Sequence, residues 1–169
     1  MNPTKAVQDD AHKAFFDILE KERTGMLAVT DSGQHYQPMT HFCDRDTGIL
    51  WFITSVDTDL VRAVGTGSQA MYTLVSGSKD FFTCMEGTLQ QSQDRAKLDE
   101  IWSSVASAWF EGGKDDPKVV LLRFSLKEAA IWTATDSSVK FGFEILRANM
   151  DDERRPDVGE HEIIQINAA

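Results

Sequence analysis

Apolar residues follow two rhythms along this chain. Between Thr4 and Arg23 they recur every three or four positions, at Val7, Ala11, Ala14, Phe15, Ile18 and Leu19, among charged neighbours. That spacing predicts a helix with one buried face, stopped by Gly25. The texture then changes to short apolar or alternating runs at 26–30, 35–43 and 49–54, separated by Asp31-Ser32-Gly33 and by Asp44-Arg45-Asp46-Thr47-Gly48; such runs between turn-forming residues read as an antiparallel meander. A short helix is expected from Asp57 or Thr58, carrying Leu60, Val61 and Val64 and closed by Gly65 or Gly67. Two further strands, 69–75 and 81–91, flank a turn at Ser76-Gly77-Ser78-Lys79.

The clearest helical spacing lies at 94–110, with Leu98, Ile101, Trp102, Val105 and Trp109 on one stripe, Asp94 as cap and Gly112-Gly113 as terminator. Strands are expected at 119–125 and 129–134 around a turn at 126–128. A weaker helical stretch covers 139–150 before a solvated loop at Asp151-Asp152-Glu153-Arg154-Arg155-Pro156. Six or seven short antiparallel strands protect their edges by closing on themselves. The fold class is therefore mainly β with α, a six- to seven-stranded antiparallel β-barrel with flanking helices, in one domain over residues 1–169 whose two ends are looser.

Charge narrows the functions. A formal net charge of -10 leaves no basic stripe for a phosphate backbone, so neither nucleic acid nor an anionic membrane surface is an expected partner. The start carries Asp9-Asp10 in place of an apolar leader, and Cys43 and Cys84 are isolated in strand-like contexts; both observations suit a cytoplasmic protein with reduced thiols. Catalytic patterns are missing: no phosphate-cradling glycine loop, no GxGxxG after a strand and no His-Glu-x-x-His. His12, His35, His41 and His161 stand apart from one another and from both cysteines, so no metal is expected. A chain without its own catalytic group borrows chemistry from a cofactor or performs none.

Trp109-Phe110-Glu111-Gly112-Gly113-Lys114-Asp115-Asp116-Pro117 resembles the Trp-Phe-x-Gly-Gly-x-x-Asp-Pro signature of bacterial general stress proteins, which belong to the pyridoxamine 5′-phosphate oxidase-like FMN-binding split barrels. Further matches follow in order: Met26-Leu27-Ala28-Val29-Thr30, Pro38-Met39, Leu50-Trp51-Phe52-Ile53-Thr54-Ser55, Glu86-Gly87-Thr88, residues 129–132 and Gly159-Glu160-His161. The resemblance makes the barrel a split β-barrel and implies a homodimer that buries sheet faces and holds FMN, with FAD as the alternative, in clefts at the subunit interface. Carried over by position, the flavin ring would rest against the backbone of Gln37, Pro38, Met39 and Thr40. Its phosphate would lie near Phe52, Ile53, Thr54 and Ser55 and the turn at Thr58, where hydroxyls and free amides can donate. Trp109 is a candidate for stacking on the ring, although the helical spacing of Trp102, Trp109 and Phe110 favours packing.

Two departures from the family pattern stand out. Gln37 replaces the arginine of an Arg-Pro-Met motif, and Leu60 occupies the place of a lysine after the Thr-Ser turn. Arg62 and Lys79 are the nearest basic residues in sequence. Weak FMN binding, or acceptance of FAD, is the expectation. The resemblance implies a flavin-dependent oxidoreductase with no identifiable acid or base, and not a true pyridoxamine 5′-phosphate oxidase, since basic residues for that substrate's phosphate are missing. The alternative is a non-catalytic flavin carrier, or a stress-related regulatory or interaction protein with weakened cofactor binding.

Overall fold

The computed structural model describes residues 2–134, 145–146 and 159–168. The first helical stretch is two helices, α1 (Pro3–Asp9) and α2 (Ala11–Lys21). Asp10 breaks them: its backbone is extended, and its carboxylate accepts from the Lys13 amide at 2.9 Å. A short acidic side chain that can satisfy free amides favours ending one helix and starting another. Phe15 and Leu19 of α2 are wholly buried.

The strands are β1 (Thr24–Val29), β2 (Gln37–Asp44), β3 (Ile49–Ser55), β4 (Ser68–Val75), β5 (Phe81–Ser92), β6 (Val119–Thr133) and β7 (His161–Gln165). Between them lie α3 (Asp59–Ala63), α4 (Arg95–Ile101), α5 (Ser104–Ser107) and a 3-10 turn at Gly113–Asp115. All pairings are antiparallel, in the order β3-β2-β1-β4-β5-β6-β7, and an added β3–β6 pairing closes six strands into a barrel with β7 attached outside the ring. Alternation along the strands turns Leu27, Leu50, Phe52, Tyr72, Leu74, Met85, Leu89 and Phe124 inward, where α2 and Leu60 of α3 complete the core. A second cluster forms on the outer surface, where Leu98 and Ile101 of α4 cover Ile49, Trp51 and Leu121.

Three expectations are corrected. The strands expected at 119–125 and 129–134 are one strand of 15 residues; in place of a turn at 126–128, the register with β5 shifts between Glu86 and Gly87, a bulge that bends the strand without ending it. The helix expected over 94–110 stops at Ile101, because Trp102 leaves the helical conformation at φ -62°, ψ 130° and its indole donates to Ser107 Oγ at 2.9 Å. Trp109 therefore leaves the stripe and is 82 % exposed. β7 lies where no strand was expected. Residues 139–150 and the acidic loop after them fall outside the described residues, apart from Ile145 and Leu146, which are helical.

Among the described residues no helix is long and apolar enough to cross a membrane, and no group of three His, Cys, Asp or Glu is placed to hold a metal ion.

Gly87 shows how tightly the bulge is packed. A Cβ there would lie 2.3 Å from the Ser125 carbonyl oxygen and 2.9 Å from the Phe124 ring. Gly87→Ala should cost about 1–3 kcal/mol through overpacking, seen as a lower urea midpoint at unchanged slope; an unchanged midpoint would mean that β5 and β6 separate freely there.

Candidate functional site

The β2–β3 ladder runs only from His41↔Phe52 to Asp44↔Ile49. Beyond it the strands part. Gln37, Pro38, Met39 and Thr40 stay on β1, whereas Ile53, Thr54 and Ser55 follow β6 in the register Ile53↔Leu121 to Ser55↔Val119. Between the parted strands opens a cleft of about 1030 Å³, at the upper end of the range for small-molecule and cofactor sites.

Its floor is Gln37, Pro38, Met39, Thr40 and Phe42 from β2 with Ile53, Thr54 and Ser55 from β3, and Asp57 and Thr58 close one side. The wall comes from the irregular segment after α4, through Ser103, Ala106, Trp109, Phe110 and Glu111, then Asp116 and Lys118. Arg23 completes the lining, its guanidinium 4.6 Å over the Phe42 ring. A smaller hollow of about 580 Å³ joins Val29, Ala63 and Met71 to Asp31, Ser32, Ser68 and Glu86, and among the described residues no basic side chain lines it.

Nine of the eleven residues expected from the sequence meet here: Gln37, Pro38, Met39, Thr40, Ile53, Thr54, Ser55, Thr58 and Trp109. Phe52 and Leu60 do not. Phe52 lies edge-on to Tyr72 at 5.2 Å, and Leu60 is wholly buried in the core. The placing of position 60 toward a phosphate is thereby corrected: a lysine there would carry its ammonium into apolar packing, which is costly. Three amides of the turn entering α3 are also occupied. Asp57 N donates to Ser55 Oγ at 3.4 Å, Thr58 N to the Ser55 carbonyl at 3.1 Å and Val61 N to Thr58 Oγ1 at 3.2 Å.

The cations at the cleft are instead Arg23 and Lys118, neither of which stood out in the sequence. Lys118 Nζ pairs with Asp57 Oδ2 at 3.0 Å, which holds the ammonium above its ordinary range. Asp116 accepts from the amides of Lys118 at 2.9 Å and Gly112 at 3.1 Å, which together keep its carboxyl below the usual range. Asp116 thus braces the wall. The Asp-Pro end of the Trp-Phe-x-Gly-Gly-x-x-Asp-Pro pattern was the available signal, since it sets Lys118 one residue further on.

Beneath the floor, His41 is wholly buried with one ring nitrogen 2.8 Å from the Leu19 carbonyl and the other 2.9 Å from Tyr72 Oη. Tyr72 Oη also lies 3.0 Å from the Met39 carbonyl. The Leu19 carbonyl only accepts, so Nε2 carries the proton of the neutral ring, and Nδ1 and the Met39 carbonyl share the single hydroxyl hydrogen of Tyr72 as alternative acceptors. The chain of contacts ties α2 to β2 at the cleft. Burial pushes His41 down to about 4, so at neutral pH it is an uncharged strut. The cysteines are inert by the same physics: burial pushes Cys43 up to about 12 and raises Cys84.

The pyridoxamine 5′-phosphate oxidase-like family model matches residues 10–157. The chain belongs to this family. Among solved structures, a general stress protein 26 from Jannaschia sp. CCS1 is 37% identical with a TM-score of 0.75, over 94% of this chain and 99% of that one. A general stress family protein from Xanthomonas campestris pv. campestris is 34% identical with a TM-score of 0.69, over 78% of this chain and 91% of that one. The general stress FMN/FAD binding protein of Xanthomonas citri is also 34% identical, with a TM-score of 0.67, over 75% of this chain and 89% of that one. No curated protein matches. The Xanthomonas citri protein is an FMN/FAD binding protein, and a flavin site needs a flat apolar platform beside donors for a phosphate. The lining fits one, with apolar Pro38, Met39, Phe42 and Ile53 for a flat ring, Arg23 beside that platform, and the hydroxyls of Thr54 and Ser55 with Lys118 for a phosphate.

His41 makes stability depend on pH. Its folded pKa near 4 lies below the unfolded value of about 6.5, so the unfolded chain binds the extra proton between these values. Stability from this group is complete above about pH 6.5 and is lost as pH falls toward 4, by about 2 kcal/mol between pH 7 and 5. Urea unfolding at those two pH values should show the loss in the wild type and a flatter dependence in His41→Gln; equal slopes would remove His41 as the cause.

Proposed function

We propose that the cleft binds a flavin, FMN with FAD as the alternative, at the interface of a homodimer, and that the protein is a flavin-dependent oxidoreductase of the general stress group. The parting of β2 from β3 carries this reading. It supplies an apolar platform at Pro38, Met39 and Phe42, flanked by Arg23 just before β1 and Lys118 just before β6. The Xanthomonas citri relative, an FMN/FAD binding protein, supports it.

In the bound state the backbone of Gln37, Pro38, Met39 and Thr40 would carry the ring, and Thr54, Ser55 and Lys118 the ribityl phosphate. The flavin would supply hydride chemistry at its N5. The chain would contribute orientation and exclusion of water. His41 is closed off below the floor, and Asp116 is engaged by two backbone amides, so neither is placed to pass protons to the cleft. A non-catalytic flavin carrier is the second reading. The carboxylate of Asp57 on Lys118, where an incoming phosphate would go, favours it.

The dimer rests on the uncovered sheet face. In register, Pro38, Met26, Thr73, Cys84, Ala130 and Ile163 form one row across β2-β1-β4-β5-β6-β7. Val75, Phe82, Trp132 and His161 form the next. Met26, Val75, Trp132 and Ile163 are exposed. A contiguous apolar face of this kind marks an interaction surface, and because the first row begins at Pro38, a second copy seated there would also wall the cleft.

Titrating the protein with FMN or FAD should quench flavin fluorescence with a micromolar midpoint; no quenching at about 100 μM, well above the micromolar range of weak binding, would end the flavin reading. NAD(P)H bleaching of the bound flavin at 450 nm decides between oxidoreductase and carrier. Ile163→Glu places a charge in the apolar row, so light scattering should fall from the mass of two chains to one, with weaker flavin quenching. A monomeric wild type would refute the dimer.

A further inference from the structure

We propose that Lys118 is the phosphate-binding cation of this cleft, with Asp57 as the resident anion that an incoming phosphate must displace. The proposal rests on the flavin reading and concerns what this chain does without basic residues at positions 37 and 60. Gln37 turns its amide onto Met39 Sδ at 3.5 Å, and Leu60 is in the core. In the turn entering α3 the amides of Asp57, Thr58 and Val61 donate within the turn itself. Arg62 donates to the Asp57 carbonyl at 2.8 Å and pairs with Asp59, and it is not part of the cleft lining.

Lys118 is differently mounted. Its carbonyl accepts from the Val56 amide at 2.9 Å and its own amide donates to Asp116 at 2.9 Å, so the backbone is held beside the exit of β3 while the side chain reaches over it. Ser55 and Lys118 thus stand on one side of the cleft, a hydroxyl and an ammonium that suit a terminal phosphate. The carboxylates facing that ammonium are Asp57, Asp116 and Glu111, and Asp116 is engaged by backbone amides. Asp57 is the exchangeable one. The Lys118–Asp57 pair is 63% and 65% exposed, and exposed pairs of this kind are weakly held. Arg23 sits over Phe42, on the β2 side, where it would meet the ring or a substrate.

Two consequences separate this arrangement from general basicity. Removing Lys118 should weaken binding only for a ligand that carries the phosphate, and removing Asp57 should strengthen that binding, because it frees the ammonium and deletes a repelling charge.

FMN and riboflavin, which share the ring and differ in the phosphate, are titrated against the full-length wild type, Lys118→Gln and Asp57→Asn, with far-UV circular dichroism confirming the fold. Lys118→Gln should weaken FMN about tenfold, as for one lost charge-assisted bond, and leave riboflavin unchanged. Asp57→Asn should tighten FMN several-fold, again sparing riboflavin. An FMN-to-riboflavin ratio that is the same in all three proteins overturns the assignment while leaving the flavin reading intact. A wild type that quenches neither flavin overturns both.

Discussion

Closure of the barrel depends on one strand serving two neighbours along a single edge. The first half of β6 pairs with β3, from Val119 to Ser125, and the second half pairs with β7, from Glu128 to Trp132. The change of partner falls at Leu126 and Lys127, where the Leu126 amide donates to the Gly48 carbonyl and the Lys127 carbonyl accepts from Ile166. The register shift opposite Gly87 gives β6 the bend it needs. Without that closure Ile53, Thr54 and Ser55 would have no strand to follow away from β2, and the cleft would shut as an ordinary ladder.

The chemistry of the site follows from this geometry. Parted strands expose backbone and alternate side chains together, which suits a flat ligand with a polar tail better than a catalytic set of side chains. The two cations come from outside the meander, Arg23 from the end of the α2 connection and Lys118 from the loop braced by Asp116. The buried His41 adds a fixed mount below the floor. Rigid support beneath and an open rim above, where Trp109 stands exposed, fit a site that receives a cofactor and is completed by another surface.

Much of the fold was legible because strand alternation and turn residues are local signals. The meander, the Thr58 cap of α3 and the Asp94 cap of α4 all follow from such signals. The errors share a cause. Leu126 to Glu128 look like a turn, and Trp102 to Phe110 like a continued helix, until long-range pairing and one indole hydrogen bond override them. At the site, the floor residues of β2 and β3 could be placed from an ordered family resemblance. Lys118 could not, because its proximity to Asp57 arises only when β6 closes on β3. Leu60 misled for the opposite reason: its position in the chain is near the turn, but its side chain faces inward.

The β3–β6 pairing joins segments distant in sequence, so it is entropically among the most expensive contacts to form and a natural step to form late in folding. The cleft spans that same seam, with one lip on β2 and the other on β3 and β6. A ligand lodged there acts as a clasp across the last joint of the barrel. By mass action it shifts the balance toward the closed ring in proportion to its concentration over its dissociation constant. If the cleft holds the flavin proposed for it, the supply of that flavin would set how long each molecule resists opening and proteolysis.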